Sequence, residues 1–449
     1  MQSQFKPGMV IASLVLALAS CGPLFTITPK STPTALSGPV NLPPLSGLAD
    51  LNMIDQNLGI AYDSLSRPMR TTDGGLTWTR VFGFEQGIIT SLDSLFAWGV
   101  ILSKPGLPLL RTGDGGQNWT QISYSPPYDP HGTTNDPRYS KVVIHFIDAL
   151  NGWAESKVDS YKGDDRFLTE TRDGGKTWTP IPIKSPTAEP GMPVGTIHLP
   201  GSNYFYYDPR RMLIIDTEGW QTEKSPGVVS MQVSMDLGNT WQSQSLPLPK
   251  KPADAHRLYP TRPYFSGENG ILPILLEDDH CCTFNYRFNY LMAFYTTSDG
   301  GASWSLRPGV VTGEYSSDQP TSSDFLFNFV PDFASLQDIF VLCRINALCV
   351  SHNAAQTWQT LPFRPDFTRE GSYHYQPYSL DFLDASTGWV LVEPWDKIRK
   401  ITTPYIYKTT DGGATWMQIV PRLDDSHLPT VNWDASLPTP TPVHQENTP

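Results

Sequence analysis

The 449-residue chain is poor in basic residues: its 32 lysines and arginines are outnumbered by 44 aspartates and glutamates, for a formal net charge of −12. It contains no run of lysine and arginine. Proteins that bind nucleic acids need such a positive patch to displace the counterions of the phosphate backbone. The sequence therefore predicts no nucleic-acid partner.

Histidine and cysteine are also scarce, at nine and five residues. The histidines show no ligand spacing, and residues 277–282 (EDDHCC) lack the spaced pairs of a zinc site. The acidic stretches lack the spacing of an EF-hand calcium loop. We therefore expect no metal and no cofactor.

The short motifs of several enzyme classes are missing too. The sequence contains no G-x-S-x-G nucleophile elbow, no H-E-x-x-H zinc motif, no P-loop and no Rossmann glycine pattern. These absences favour a protein without catalytic activity.

Apolar runs long enough to cross a bilayer are lacking as well. Residues 9–19 form an apolar run after Lys6 that is too short to span a membrane. The run ends in residues 18–21 (LASC), which resemble a bacterial lipobox. This resemblance implies a signal peptide over residues 1–20 and a diacylglycerol on Cys21; the alternative is an ordinary signal peptide. We expect an extracytoplasmic protein, at the cell surface or in the periplasm, held to a bacterial membrane through this lipid.

The segment after Cys21 is rich in proline, threonine and serine up to residue 45, and it predicts a flexible, disordered tether. Four further cysteines follow in the body of the chain. Cys343 and Cys349 would lie opposite each other if a hairpin turned between them, so they are a candidate disulfide in an oxidising compartment. The adjacent Cys281 and Cys282 could pair with each other, stay free or bind something.

One eight-residue pattern occurs seven times in the sequence. In it an aspartate can accept hydrogen bonds from nearby backbone N–H groups, two glycines permit positive φ, and a tryptophan buries its ring under the hairpin. In the sixth copy Asn353 replaces the aspartate and alanines replace both glycines, so we expect that hairpin to be the least regular. The aspartate (or asparagine) and tryptophan positions are Asp73 and Trp78, Asp114 and Trp119, Asp173 and Trp178, Asp236 and Trp241, Asp299 and Trp304, Asn353 and Trp358, and Asp411 and Trp416.

A second turn pattern precedes most of these boxes. Residues 146–153 (FIDALNGW) match residues 382–389 (FLDASTGW), and looser versions occur at 53–60, 214–220 and 265–271. Two turns in each repeat imply four strands in each repeat. The sequence therefore predicts an all-β, seven-bladed β-propeller over residues 46–420, with four antiparallel strands per blade. Residues 421–449 form a Pro/Thr-rich tail, which we expect to be disordered except where residues 430–433 could dock.

The T-x-D-G-G-x-T-W repeat resembles the BNR or Asp-box repeat of sialidases, sortilin-type receptors and xyloglucanases. With the added F-x-D-x-x-x-G-W turn, the chain looks most like the photosystem II stability and assembly factor propellers. The resemblance implies that the boxes are structural and lie away from the ligand site. It suggests an assembly or stability factor for an envelope complex.

Chain topology separates the two sides of such a disc. Both turn patterns are first or third connections of a blade, so they share one side, here called the box face. The second connections and the interblade segments share the opposite side, the loop face. We expect long loops there, including second connections at residues 157–166, 277–290 and 393–403, and we expect binding there as well. The candidate binding residues are Tyr128, His131, Tyr373, Tyr375 and Trp395.

The competing hypothesis is a glycoside hydrolase of the exo-sialidase type. Sialidases bind a substrate carboxylate through three arginines and carry a Phe/Tyr-Arg-Ile-Pro motif before the first box, which is missing ahead of Thr71. Arginines that could converge on the channel mouth are Arg262, Arg287, Arg364 and Arg369. The sequence favours a monomeric binding propeller, with an unidentified protein or glycan as its partner.

Overall fold

A computed structural model describes most of the chain after residue 35. The described residues are 36–37, 39, 41–45, 47–82, 85–104, 106–124, 140–160, 163–184, 196–199, 203–208, 211–216, 228–249, 255–278, 286–308, 311–317, 330–344, 347–362, 374–395, 405–434 and 436–437. The unit from Ala35 to Pro449 holds the fold, and residues 1–34 lie outside this description.

The described elements are all β-strands, beginning with the short β1 (Leu36–Ser37). Blade 1 contains β2 (Ala49–Met53), β3 (Gly59–Tyr62), β4 (Pro68–Thr71) and β5 (Thr77–Arg80). Blade 2 contains β6 (Gly87–Ser91), β7 (Ala97–Ile101), β8 (Pro108–Thr112) and β9 (Asn118–Tyr124). Blade 3 contains β10 (Ser140–Phe146), β11 (Gly152–Ser160), β12 (Gly163–Thr171) and β13 (Thr179–Pro180), with β14 (Thr196–Leu199) added to β12.

Blade 4 contains β15 (Asn203–Asp208), β16 (Arg211–Asp216), β17 (Val228–Ser234) and β18 (Gln242–Pro247). Blade 5 contains β19 (Ala255–Pro260), β20 (Tyr264–Ser266), β21 (Asn269–Asp278), β22 (Tyr286–Thr297) and β23 (Ser305–Leu306), and β24 (Val311–Ser317) pairs with β22. Blade 6 contains β25 (Asp332–Phe333), β26 (Ile339–Arg344), β27 (Ala347–Ser351) and β28 (Gln359–Pro362). Blade 7 contains β29 (His374–Phe382), β30 (Gly388–Trp395), β31 (Tyr405–Thr409) and β32 (Met417–Val420), and β33 (Arg422–Leu423) and β34 (Thr430–Asn432) follow it.

The hydrophobic core lies between the blades. Each of seven buried clusters combines residues of two neighbouring blades. One of them joins blade 7 to blade 1, with Trp389 and Leu391 packed beside Met69 and Trp78. Seven interfaces between seven sheets close a ring, so the predicted seven-bladed propeller of four-stranded antiparallel blades is confirmed.

Each box is a hairpin held together by its own polar groups, as the seventh copy illustrates. The Thr409 hydroxyl donates to Asp411 Oδ1 at 2.9 Å and accepts the Gly413 N–H at 2.9 Å. The backbone N–H and the hydroxyl of Thr415 donate to the two oxygens of Asp411 at 2.8 and 2.6 Å. The indole of Trp416 donates to the Gly413 carbonyl at 3.0 Å. The local sequence therefore supplies both partners of these bonds.

A further backbone bond joins the two turns of a blade. In blade 7 the Gly412 N–H donates to the carbonyl of Ser386, two residues after the turn aspartate Asp384, at 2.8 Å. Six blades share this cross-turn bond. Its donors and acceptors are Gly74 and Asn57, Gly115 and Leu95, Gly174 and Leu150, Gly300 and Glu268, Ala354 and Gln337, and Gly412 and Ser386. The bond shows that both turns lie on the box face, as the topology predicts.

One expectation about the turns is wrong, and another is met in part. The first turn of blade 4 is not at Asp216, because the register pairs Asp216 with Ser230, far from the box. The first turn instead follows Asp208, whose Oδ1 accepts the N–H of Arg211 at 3.2 Å. The sixth box keeps its hairpin, since Asn353 Oδ1 accepts the Thr357 N–H at 2.9 Å with Ala354 and Ala355 at φ of 55° and 59°. It is less regular than most, as expected, because its cross-turn bond is the longest of the six at 3.2 Å.

Strands extend into several segments expected to be loops. β11 and β12 continue to Ser160 and Gly163, so most of residues 157–166 is a hairpin rather than a loop. β21 runs to Asp278 and β22 starts at Tyr286, and β30 runs to Trp395. Cross-strand pairing thus continues beyond the disc on the loop face, where β14 and β24 widen blades 3 and 5.

The fold also extends beyond residues 46–420. β1 runs parallel to the outer strand of blade 7, β33 parallel to that of blade 1, and β34 parallel to that of blade 2. The backbone N–H of Leu45 donates to Pro421 O, and that of Leu423 donates to Pro43 O. We call residues 36–37, 39, 41–45 and 421–434 the strap. It runs along the outer rim over blades 7, 1 and 2, and it includes the predicted docking segment.

Blades 7 and 1 close the ring through side-chain contacts, since each blade takes all four of its strands from consecutive sequence. The indole of Trp389 in blade 7 donates to the Gly74 carbonyl in the blade 1 box at 3.1 Å. Trp98 in blade 2 makes the same bond to Gly174 in blade 3 at 2.9 Å. The closing interface thus repeats the bond used inside the ring.

We expect Trp389→Phe to lower the free energy of unfolding by about 1–3 kcal/mol, because the buried Gly74 carbonyl loses its donor. Urea denaturation of the purified protein measures this. Trp98→Phe is the matched control and should cost a similar amount. Native stability of Trp389→Phe beside a weakened Trp98→Phe would show that the ring closes by other contacts.

Gly412→Ala should destabilise the propeller more than Gly267→Ala. Both glycines have positive φ, 70° and 64°, so alanine costs about 1–2 kcal/mol at either position. At Gly412 the added Cβ would also lie 2.8 Å from the Ala385 carbonyl, whereas nothing lies within 4 Å at Gly267. Equal urea midpoints for the two variants would contradict the close approach of the two turns.

Candidate functional site in the central channel

The structure describes few of the candidate binding residues on the loop face. Tyr128, His131 and Tyr373 lie outside the described residues. For Tyr375 and Trp395 only the backbone is described: Tyr375 pairs with Pro394 and Trp395 with His374, at the loop-face ends of β29 and β30. Binding on the loop face therefore stays a prediction.

Two of the five cysteines lie within the described residues, and three lie outside them. Cys21, Cys281 and Cys282 lie outside the described residues. Cys343 and Cys349 form a disulfide with an S–S distance of 2.05 Å and a Cα–Cα distance of 5.6 Å, and it joins β26 to β27. The disulfide closes the loop-face end of blade 6.

The box carboxylates are fully engaged within their own turns. Asp299 accepts hydrogen bonds from the Thr297 hydroxyl and from the backbone and side chain of Ser303. The bond from the Ser303 hydroxyl is the largest cause that lowers the pKa of Asp299, to about 2. A carboxylate held in this way stabilises a turn rather than a ligand.

A cavity of about 580 Å³ lies in the central channel. Its described lining comes from four of the seven blades, mostly from innermost strands and close to their first turns, on the box-face half of the channel. The lining residues are Asn52, Tyr206, Asp208, Arg211, Leu213, Arg262, Pro263, Tyr264, Phe265, Val330, Pro331, Asp332 and Phe333.

Arg211, the first residue of β16, is the most constrained polar group of this cavity, with 2% of its surface exposed. Its Nε lies 3.0 Å from Asp208 Oδ2, and its Nη2 donates to the Gly267 carbonyl at 2.9 Å. The guanidinium stands 3.8 Å from the ring centre of Phe265. Nη1 donates to no acceptor in the described part of the chain. The guanidinium is therefore fixed in orientation; its Nε makes an ion pair with Asp208 but no hydrogen bond, and its Nη1 has neither among these residues.

Arg262 provides a second positive charge from the segment between β19 and β20, and it is exposed. Burial, together with the charge of Arg262, lowers the pKa of His145 in blade 3 to about 4. His145 is therefore neutral at pH 7, and the arginines carry the positive charge of this part of the channel.

Two buried carboxyl groups link blades 6, 7 and 1 around the channel. Asp332 in β25 accepts the N–H of Phe382 in blade 7, and Asp381 in β29 accepts the N–H of Met53 in blade 1. Burial and the nearby charge of Asp381 raise the pKa of Asp332 to about 8. Burial raises the pKa of Asp381 to about 7. Asp332 is therefore mostly neutral at pH 7, although it lines the cavity.

Aromatic rings form the apolar wall of the cavity. Tyr264 of blade 5 stacks on Phe333 of blade 6, with ring centres 5.2 Å apart and planes within 5°. The Tyr206 hydroxyl donates to the Pro260 carbonyl at 2.9 Å and joins blade 4 to blade 5. These rings are held by contacts between blades, so they present a preformed surface.

The sequence names Arg262 as one of four arginines that could converge on the channel mouth, and the structure places it in the lining of the cavity on the box-face half. The sequence does not indicate Arg211, because its partners Gly267 and Phe265 lie more than fifty residues away along the chain. The signal available in the sequence was the short Asp208–Arg211 turn. Arg364 and Arg369 lie outside the described residues, and of Arg287 only the backbone is described.

The described residues lack two further features. No group of three or more His, Cys, Asp or Glu side chains among them could hold a metal ion. Nor does that part of the chain include a helix long and apolar enough to cross a membrane.

No family model matches the chain, and no curated protein does either. Among solved structures, YCF48 bound to D1 peptide is similar at 17% sequence identity, over 80% of this chain and 96% of that one, with a TM-score of 0.41. YCF48 from Cyanidioschyzon merolae is similar at 15% identity, over 82% and 97%, with a TM-score of 0.46. An ulvan lyase, a polysaccharide lyase, is similar at 11% identity, over 83% and 96%, with a TM-score of 0.44. The propeller fold that the sequence resemblance implies is confirmed by the seven sheets of the chain itself.

The buried acids make stability depend on pH. Their pKa values in the folded chain lie above the unfolded value of about 3.9, so the folded state holds these protons more tightly. Their contribution is complete below about pH 4 and is lost as the pH rises through about 7 and 8. We expect Asp332→Asn, which keeps an acceptor oxygen for Phe382, to flatten the fall in Tm between about pH 4 and 8.

Asp434→Asn, at an exposed position in the strap, is the control and should leave that pH dependence unchanged. Thermal unfolding of the three proteins at several pH values measures the effect. Parallel profiles for Asp332→Asn and the native protein would contradict a buried, protonated Asp332.

Proposed function

We propose that this chain is a non-catalytic, lipid-anchored propeller that binds a protein or glycan partner outside the cytoplasm. One observation supports binding above the others: the channel cavity is lined by charged, polar and aromatic side chains from four blades, and contacts between blades fix them. Preformed concave sites with a few oriented polar groups are typical of ligand-binding proteins.

The box face supports a structural role for the repeats. Its aspartates, hydroxyls and tryptophans bond within each hairpin. A ring of this kind is a rigid frame, and specificity then comes from the channel and from the loop face. Because the seven interblade clusters close one ring within a single chain, we propose that the protein acts as a monomer.

The anchor rests on the lipobox at residues 18–21 and on the Pro/Thr/Ser-rich segment that follows Cys21. A lipid on Cys21 would hold the propeller at a bacterial membrane, within reach of envelope proteins and glycans. The sequence resemblance to assembly-factor propellers supports a role in the assembly or stability of an envelope complex.

Metabolic labelling with a clickable fatty acid tests the anchor. We expect the native chain to take up the label and to fractionate with membranes, and we expect Cys21→Ser to lose the label. A Cys343→Ser variant controls for acylation at other cysteines. A Cys21→Ser chain that keeps its acyl label would overturn lipid anchoring.

Capture of the partner tests the binding function. The full chain, immobilised in detergent, is expected to enrich the same envelope proteins or glycans in repeated captures. The same chain, denatured before it is bound to the same resin, is the control. A fluorogenic sialoside assay runs beside it, and clear turnover would contradict the non-catalytic assignment.

A further inference from the structure

The cavity on the box-face half of the channel contains more positive than negative charge at neutral pH. Arg211 and Arg262 each carry one positive charge, and Asp208, 3.0 Å from Arg211, balances one of them. Asp332 is held largely protonated by burial, because its pKa is raised to about 8. One positive charge is therefore left without a described counter-charge, so the cavity suits a ligand with a single negative charge.

The geometry of Arg211 narrows the chemistry of that ligand. The Phe265 ring and the Gly267 carbonyl hold the guanidinium in one orientation. Its Nη1 is buried without a hydrogen-bond acceptor in the described part of the chain. A buried, charged donor without a partner costs free energy, which an anionic acceptor would recover. A planar guanidinium matches the planar fork of a carboxylate.

The neutral walls indicate what the carboxylate would be attached to. Tyr264 and Phe333 provide a flat apolar surface, and Asn52 adds a neutral polar group. The volume of about 580 Å³ holds a group larger than a simple inorganic ion. A carboxylate joined to a flat or apolar portion fits these features.

We propose that the channel cavity binds a single carboxylate at the end of an organic ligand, with Arg211 and Arg262 as the cationic residues and the Tyr264–Phe333 pair as the apolar wall. The site rests on the proposed binding function and specifies its chemistry. It lies near the first turns of blades 1, 4, 5 and 6, rather than on the loop face where the sequence predicts binding.

Calorimetric titration of the full chain in detergent tests the site with paired probes. One pair is hippurate and its neutral amide, which present a peptide-like carboxylate. The other is glucuronate and glucose, which present a sugar carboxylate. We expect the acid of at least one pair to bind at least tenfold more tightly than its neutral partner, and the pair that responds identifies the source of the carboxylate. Inorganic phosphate serves as a third probe; if it competes as well as the acids do, the site is a general anion site and the carboxylate proposal is overturned.

Arg262→Met is the decisive variant, because Arg262 is exposed and its loss should leave the fold intact. We expect at least a tenfold loss of affinity for the acid and no change for the neutral probe. Arg172→Met, at an exposed arginine of the third box paired with Glu170, is the matched control and should bind like the native chain. Arg211→Lys keeps the charge but loses the planar fork, so it should also weaken binding while thermal unfolding confirms a folded chain.

The outcomes separate this site from the proposed function. Equal binding of acid and neutral probes, or an Arg262→Met chain that binds the acid normally, would overturn the carboxylate site. If that variant still captures the native partner, the binding function stands without the site. If the native chain binds the acid but captures no partner, the site stands and the proposed function fails.

Discussion

The backbone hydrogen bond between the two turns of each blade is the constraint on which the box face depends. In six blades the residue at the first glycine position of the box donates to a carbonyl in the first turn of the same blade. The bond requires positive φ at that residue and a turn carbonyl about 3 Å away, so both turns must be short and close together. It fixes the two turns of each of these six blades against each other, and it leaves sequence variation to the channel and the loop face.

Alanine at the first glycine position of the sixth box shows how closely the two turns approach each other. In the sixth box Ala354 adopts φ of 55° and its N–H lies 3.2 Å from the Gln337 carbonyl, against 2.8 Å for the glycines of the first and seventh boxes. The two turns therefore lie slightly farther apart at the alanine than at the glycines, which leaves room for the Cβ. The hairpin persists because the Ser351 hydroxyl and Asn353 keep their bonds to the following backbone.

The sequence predicts those features whose partners are local. The boxes contain both donors and acceptors within eight residues, so their number gives the number of blades. The first turn of blade 4 escaped prediction because Asp208 is followed by Pro209 and two arginines rather than by the glycine–aromatic pair. In blade 6 a serine, Ser335, replaces the turn aspartate and accepts two backbone N–H groups. The channel could not be predicted, because Arg211, Arg262 and Asp332 come together only when the ring closes.

Amide hydrogen exchange of the intact protein tests the central claim most directly. The N–H groups of Gly74, Gly174, Gly300 and Gly412 belong to tight turns at the edge of the disc, where amides ordinarily exchange quickly. If the cross-turn bonds make the box face rigid, these amides exchange only when the propeller unfolds, as slowly as those of the central strands. Exchange within seconds, while the central strands stay protected, would contradict the account.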